Sequence, residues 1–74
     1  MKTYYIAETQ NSGSIRKAEK IEVKNLTAAK RKASLEQVYQ GTTLSIFSDI
    51  DENGYGVDLI TSKNTGFSNT NTWN

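Results

Sequence analysis

Six consecutive residues, Asp49-Ile50-Asp51-Glu52-Asn53-Gly54, make the sharpest local pattern in this 74-residue chain. Oxygen ligands at alternate positions with glycine sixth is how a calcium-binding EF-hand loop begins. That loop also needs a bidentate Glu at its twelfth position, where Ile60 stands. Its flanks must be helices, and here they read as strands. Asp-Glu-Asn-Gly is hairpin-turn material in its own right. The stretch reads as a turn, and no metal ligand set is expected.

Enzyme chemistry fares no better. The chain has no histidine and no cysteine, so the usual general base, proton shuttle, thiol nucleophile and nitrogen or sulfur metal ligands are missing. Serines and threonines are plentiful, but no glycine-flanked nucleophile elbow surrounds one. Gly54-Tyr55-Gly56 falls in a hairpin rather than between strand and helix, so it is no phosphate-binding loop. Asp49 and Asp51 lie at or beside an exposed turn, a poor setting for acid–base work. The expectation is a binding protein, without catalytic residues and without a cofactor.

Charge offers a different kind of chemistry. Seven basic residues lie between Arg16 and Lys32 (Arg16, Lys17, Lys20, Lys24, Lys30, Arg31, Lys32), against Glu19 and Glu22. From Glu36 to Asp58 every charge is acidic: Glu36, Asp49, Asp51, Glu52 and Asp58. A net charge of +1 built from two opposed blocks implies a polarised surface able to steer a charged partner. Ordinary solvated charge is the plainer alternative. Lys30 and Arg31 could hold nucleic-acid phosphates without reading sequence; solubilising the helix is their other reading, with the stem of Lys32 along its apolar side.

The elements that must position these groups follow from pattern. Thr3–Thr9 alternates as a strand, with Tyr4, Ile6 and Glu8 one way and Tyr5, Ala7 and Thr9 the other. Gln10–Ser14 is loop chemistry, and a second strand through about Lys24 completes a hairpin. A helix opens with Asn25 or Thr27 as N-cap and runs to about Gln40, with Gly41 placed as C′ residue. Leu26, Ala29 and Ala33 share its apolar side, Ala28, Leu35 and Tyr39 extend the arc, and Lys30, Arg31, Ser34 and Gln37 form the wet face. Thr43–Asp49 and Val57–Ser62 are two further strands joined by a tight Asn53-Gly54 turn. Asn64-Thr65-Gly66 marks another turn, and residues 67–74 read as either an edge strand or a frayed tail.

The result is one α+β domain over residues 1–74, a single helix packed on one face of a four- to five-stranded antiparallel sheet in the order ββαββ(β). If Ile6, Ile21, Val23, Leu44, Ile46, Val57 and Leu59 face the helix, then Tyr5, Phe47 and Ile60 look out from an uncovered sheet face. Such a patch marks a partner site, scattered surface hydrophobics being the alternative. No apolar run approaches the ~20 residues of a membrane span. The start at Met1-Lys2 leads straight into a strand pattern, so no secretory signal is expected, and the lack of cysteine suits the cytoplasm.

The residues also carry a resemblance. A Tyr-Tyr-Ile strand, a Gln10-Asn11 loop and the run from Val23 to Ser34 (VKNLTAAKRKAS) come in that order. They continue through Gln37–Ile46 (QVYQGTTLSI) to the Glu52-Asn53-Gly54 hairpin. This order resembles small phage-encoded anti-CRISPR proteins, in particular the family numbered nine among the type I-F inhibitors. The similarity runs to about Lys63, and the Asn/Thr-rich tail matches least. It implies an inhibitor that acts in the bacterial host cytoplasm. It would dock on backbone subunits of the RNA-guided surveillance complex and keep target DNA from pairing with the guide. The candidates for protein contact in that role are Tyr5, Gln37, Tyr39 and Phe47, and those for phosphate contact are Lys30 and Arg31. A small non-sequence-specific nucleic-acid-binding protein using the basic helix face is the alternative; a structural domain of a prophage is a third.

Overall fold

A computed structural model describes residues 1–10, 17–38, 41–65 and 73. Its elements are β1 (Lys2–Thr9), β2 (Glu19–Val23), α1 (Leu26–Leu35), β3 (Thr43–Ile50) and β4 (Gly56–Asn64). The strands form one antiparallel sheet in the order β2-β1-β3-β4, with α1 on one face. The expected α+β architecture is therefore present. The stretch expected as a fifth strand lies outside the described residues, apart from Trp73. No helix among the described residues is long and apolar enough to cross a membrane.

Helix α1 starts where Asn25 caps it, its side chain accepting a hydrogen bond from the Ala28 amide at 2.9 Å and so satisfying one orphan donor of the first turn. Ala29 and Ala33 are buried on its sheet side. They meet Ile6, Ile21 and Ile46, with Tyr4, Val23, Leu26 and Trp73 packed around them. Ile46 is the largest side chain with no exposure at all. Alanine at the contact lets the helix backbone come close, and the branched strand residues fill the space beneath.

The helix is shorter than its pattern predicts. It ends at Leu35 with Glu36 as C-cap, and Gly41 lies in the connection rather than one residue past the end. Hydrogen bonds from other elements take the chain over. Glu8 of β1 accepts from the Val38 amide at 2.9 Å and from the Thr42 hydroxyl at 2.8 Å. The Gln37 side chain donates to the hydroxyls of Thr42 and Thr65 at 3.2 and 3.0 Å. Leu35 does not extend the apolar arc. Nine residues after Leu26 it has turned through about half a revolution, and it is 79% exposed.

Strand β4 departs from simple alternation. Ile46 pairs with Thr61 but Phe47 pairs with Leu59, so Ile60 is an extra residue, a β-bulge. Thr61 keeps the phase that points at the helix and is buried. Val57 and Leu59, on the other side of the bulge, fall in phase with Phe47 and Asp49. The expectation that they face the helix is overturned, since one inserted residue reverses every side chain beyond it. Asp58 beside the bulge has φ 59°, a left-handed conformation that Asp tolerates better than most residues.

The sheet also coils. Glu19 stands level with Ile6 and Ile46 across the sheet, so a straight β3–β4 hairpin would carry its tip more than ~15 Å from the neighbouring Ala18. Yet the Ala18 amide donates to the Gly54 carbonyl at 2.9 Å. The Lys17 stem lies 3.6 Å from the position a Gly54 Cβ would take, and β4 touches β1, its second neighbour. The far face is partly roofed by its own hairpin rather than left open. Among the described residues no buried side-chain nitrogen or oxygen lacks a partner.

Replacing Ile46 by alanine should cost about 2–5 kcal/mol, because the helix and sheet cannot collapse fully into the void. Leu35→Ala should change stability by less than about 0.5 kcal/mol. Urea denaturation of the two variants measures both, and a large loss for Leu35→Ala would restore the longer apolar face.

Candidate functional site

Tyr5 and Phe47 are direct cross-strand partners on the face away from the helix. Their row runs Lys20, Tyr5, Phe47, Leu59 across all four strands. Both aromatic residues are half-buried. The Phe47 ring lies against Gly56, where an added Cβ would come within 2.1 Å of it, so only glycine admits the ring. Outside this pair the apolar surface continues on β4: Val57 is 36%, Leu59 57% and Ile60 41% exposed. Ile60 was expected on the surface. Val57 and Leu59 were not, because the bulge that turns them outward leaves no mark in the alternation.

The turn beyond them is acidic. Asp51 Oδ1 accepts from the amides of Asn53 and Tyr55 at 2.9 and 3.0 Å, the Gly54 amide donates to the Asp51 carbonyl, and the Asp51 amide donates to Tyr55. The loop holds three residues, Glu52-Asn53-Gly54, rather than two. Gly54, with φ 89°, supplies the left-handed residue that such a loop needs. Asp51 is thus occupied in shaping the turn. Asp49, Glu52 and Asp58 are exposed.

The remaining candidates sit elsewhere. Arg31 points away from the core and is exposed, and Lys30 is half-buried on the helix flank. The structure places both on the side of the molecule opposite Tyr5 and Phe47. Lys32 pairs with Glu36 at 3.2 Å, one helical turn on, a contact worth a few tenths of a kcal/mol at an exposed site. Gln37 is tied to Thr42 and Thr65 at the end of the helix, away from both groups. Tyr39 lies outside the described residues.

A cleft of about 200 Å³ opens beside the helix C-terminus, with Ile6, Ala33 and Leu44 on its floor and Glu8, Glu19, Glu36 and Lys17 around it. The pattern gave no sign of it, since its carboxylates come from β1, β2 and the helix cap. Glu19 and Glu36 meet there. A hydrogen bond with Glu36 holds the Glu19 carboxyl above its ordinary value of 4.5, helped by partial burial and repulsion from Glu36 and opposed by Lys32.

A solved structure titled AcrIF9 is 33% identical to the chain, superposes with a TM-score of 0.72, and covers 97% of this chain and 82% of its own. No protein-family model and no curated protein matches the chain.

The raised pKa of Glu19 has a consequence for stability. A carboxyl whose pKa is raised on folding adds stability below its ordinary value, and that contribution is lost as pH rises through the raised value. Glu19→Gln keeps a donor toward Glu36 without the second charge. It should therefore raise the melting temperature at neutral pH and lose that advantage at pH 4. Melting curves across that interval check the sign, and an unchanged or lowered neutral-pH midpoint would contradict it.

Proposed function

The chain belongs to the AcrIF9 family, and we propose that it is an anti-CRISPR inhibitor that works by occupancy. It docks on backbone subunits of a type I RNA-guided surveillance complex in the bacterial cytoplasm and keeps target DNA from hybridising with the guide. The observation that carries this reading is a likeness spanning nearly the whole chain, rather than a motif within it. The residues agree with it: a chain without histidine or cysteine has few means of turnover, and blocking needs none.

The Tyr5–Phe47 row is the protein-contact surface in this reading, since paired aromatics in a partly desolvated setting give large contact area at low entropic cost. Gln37 and Tyr39, between the helix and β3, are further contacts on the same partner. Lys30 and Arg31 face nucleic acid. A second reading, non-sequence-specific nucleic-acid binding by the helix alone, is favoured by Arg31 standing exposed opposite the core.

Two measurements separate the readings. With purified surveillance complex, target-DNA binding should be lost once the protein is stoichiometric with its sites; undiminished binding at saturating protein would end the inhibitor reading for that complex. On bare duplex DNA, the second reading expects binding that weakens steeply with salt. Lys30→Ala/Arg31→Ala should then reduce the salt slope by about two. An unaltered slope would remove the helix from the nucleic-acid site.

A further inference from the structure

We propose that the β3–β4 hairpin is a docking finger for a cationic protein surface, a deepening that rests on the inhibitor reading above. Val57, Leu59 and Ile60 form an apolar strip that is 36–57% exposed on a chain whose core is otherwise small. Large apolar side chains grouped on one strand mark a surface that another molecule covers. What covers this one is settled by its surroundings. Asp49, Glu52 and Asp58 flank the strip and are exposed, and no lysine or arginine occurs between Glu36 and Asp58. Lys17 reaches the hairpin tip, its stem lying against Gly54.

An acidic rim around an apolar strip repels nucleic-acid phosphate. It equally repels the same hairpin of a second copy. It complements a protein surface lined with lysine and arginine whose aliphatic stems can lie on Val57 and Leu59 while their head groups meet Asp49 and Glu52. Grooves that hold nucleic-acid phosphates have this composition. The hairpin would enter such a groove as a competitor for the phosphates, while the basic helix on the opposite side stays outside it.

The test compares the parent with Glu52→Lys/Leu59→Thr, both at exposed positions that leave the Asp51 turn bonds and the Gly56–Phe47 contact intact. Binding to purified surveillance complex should weaken about tenfold or more, with the melting temperature held. If the double variant loses its fold, Glu52→Lys alone is read in its place, with weakening expected again. A variant that binds as the parent does overturns the hairpin proposal and leaves the inhibitor reading standing. If the parent itself does not bind the complex, the inhibitor reading fails, and a second measurement decides the hairpin alone. In that measurement, decalysine is titrated at low salt into isotope-labelled protein and amide resonances are followed. Shifts should gather at residues 49–60 and vanish in Glu52→Lys; shifts absent there overturn the proposal, and so does a mass of two chains by sedimentation with the strip at its interface.

Discussion

Ala29 and Ala33 bring the backbone of α1 down onto Ile46, and the core so formed is small. A domain of this size buries little more than half the surface of its unfolded chain, so the few residues that meet there carry most of the stability. Close approach explains the choice of side chains. Larger residues on the helix would lift it off the sheet, and smaller ones on the strands would leave voids. Trp73, near the end of the chain, packs against the same cluster, so residues far apart in sequence converge on one small volume. Polar groups then finish what the apolar ones begin: Glu8 and Gln37 draw the chain away from the helix axis and into β3.

The bulge at Ile60 divides β4 between two tasks. On one side of it Thr61 joins the helix-facing layer, and on the other Val57 and Leu59 join Phe47. A regular strand would have sent all three the same way. The inserted residue also bends the hairpin, which helps bring Gly54 back to Ala18 and rests Gly56 on the Phe47 ring. The same local irregularity thus shapes the roof over the aromatic pair and turns aliphatic side chains into solvent. Its cost is visible in Asp58, held at positive φ, of the order of 1 kcal/mol for such a residue.

Much of this was legible in the sequence because it rests on local rules. Asn25 capping, the alternation of Thr3–Thr9 and Thr43–Asp49, and the Ala29/Ala33 stripe depend on neighbours a few residues away, and all are present in the structure. Elsewhere a distant partner made the decision. Val38 leaves the helix because Glu8, thirty residues earlier, takes its amide, and no propensity of residues 36–40 announces that. Leu35 is different, because helical geometry alone puts it opposite Leu26. Of the candidate contacts, Tyr5 and Phe47 share a cross-strand pair as their strand phases imply. Val57 and Leu59 escaped notice because a bulge leaves composition unchanged, and the Glu19–Glu36 pair because its members belong to different elements.

A protein that inhibits by occupancy is limited by affinity, since each copy must stay bound to act. A specific interface of ordinary size buries about 800 Å² on each partner, and this molecule exposes 4997 Å² in all, so one such interface takes roughly a sixth of its surface. The apolar strip and aromatic row lie on one side, the basic helix on the other, and a flat partner cannot touch both. Use of the two sides together therefore demands either a concave partner that wraps the domain or two separate molecules held at once. Their opposite charges favour one orientation over its reverse before contact is made.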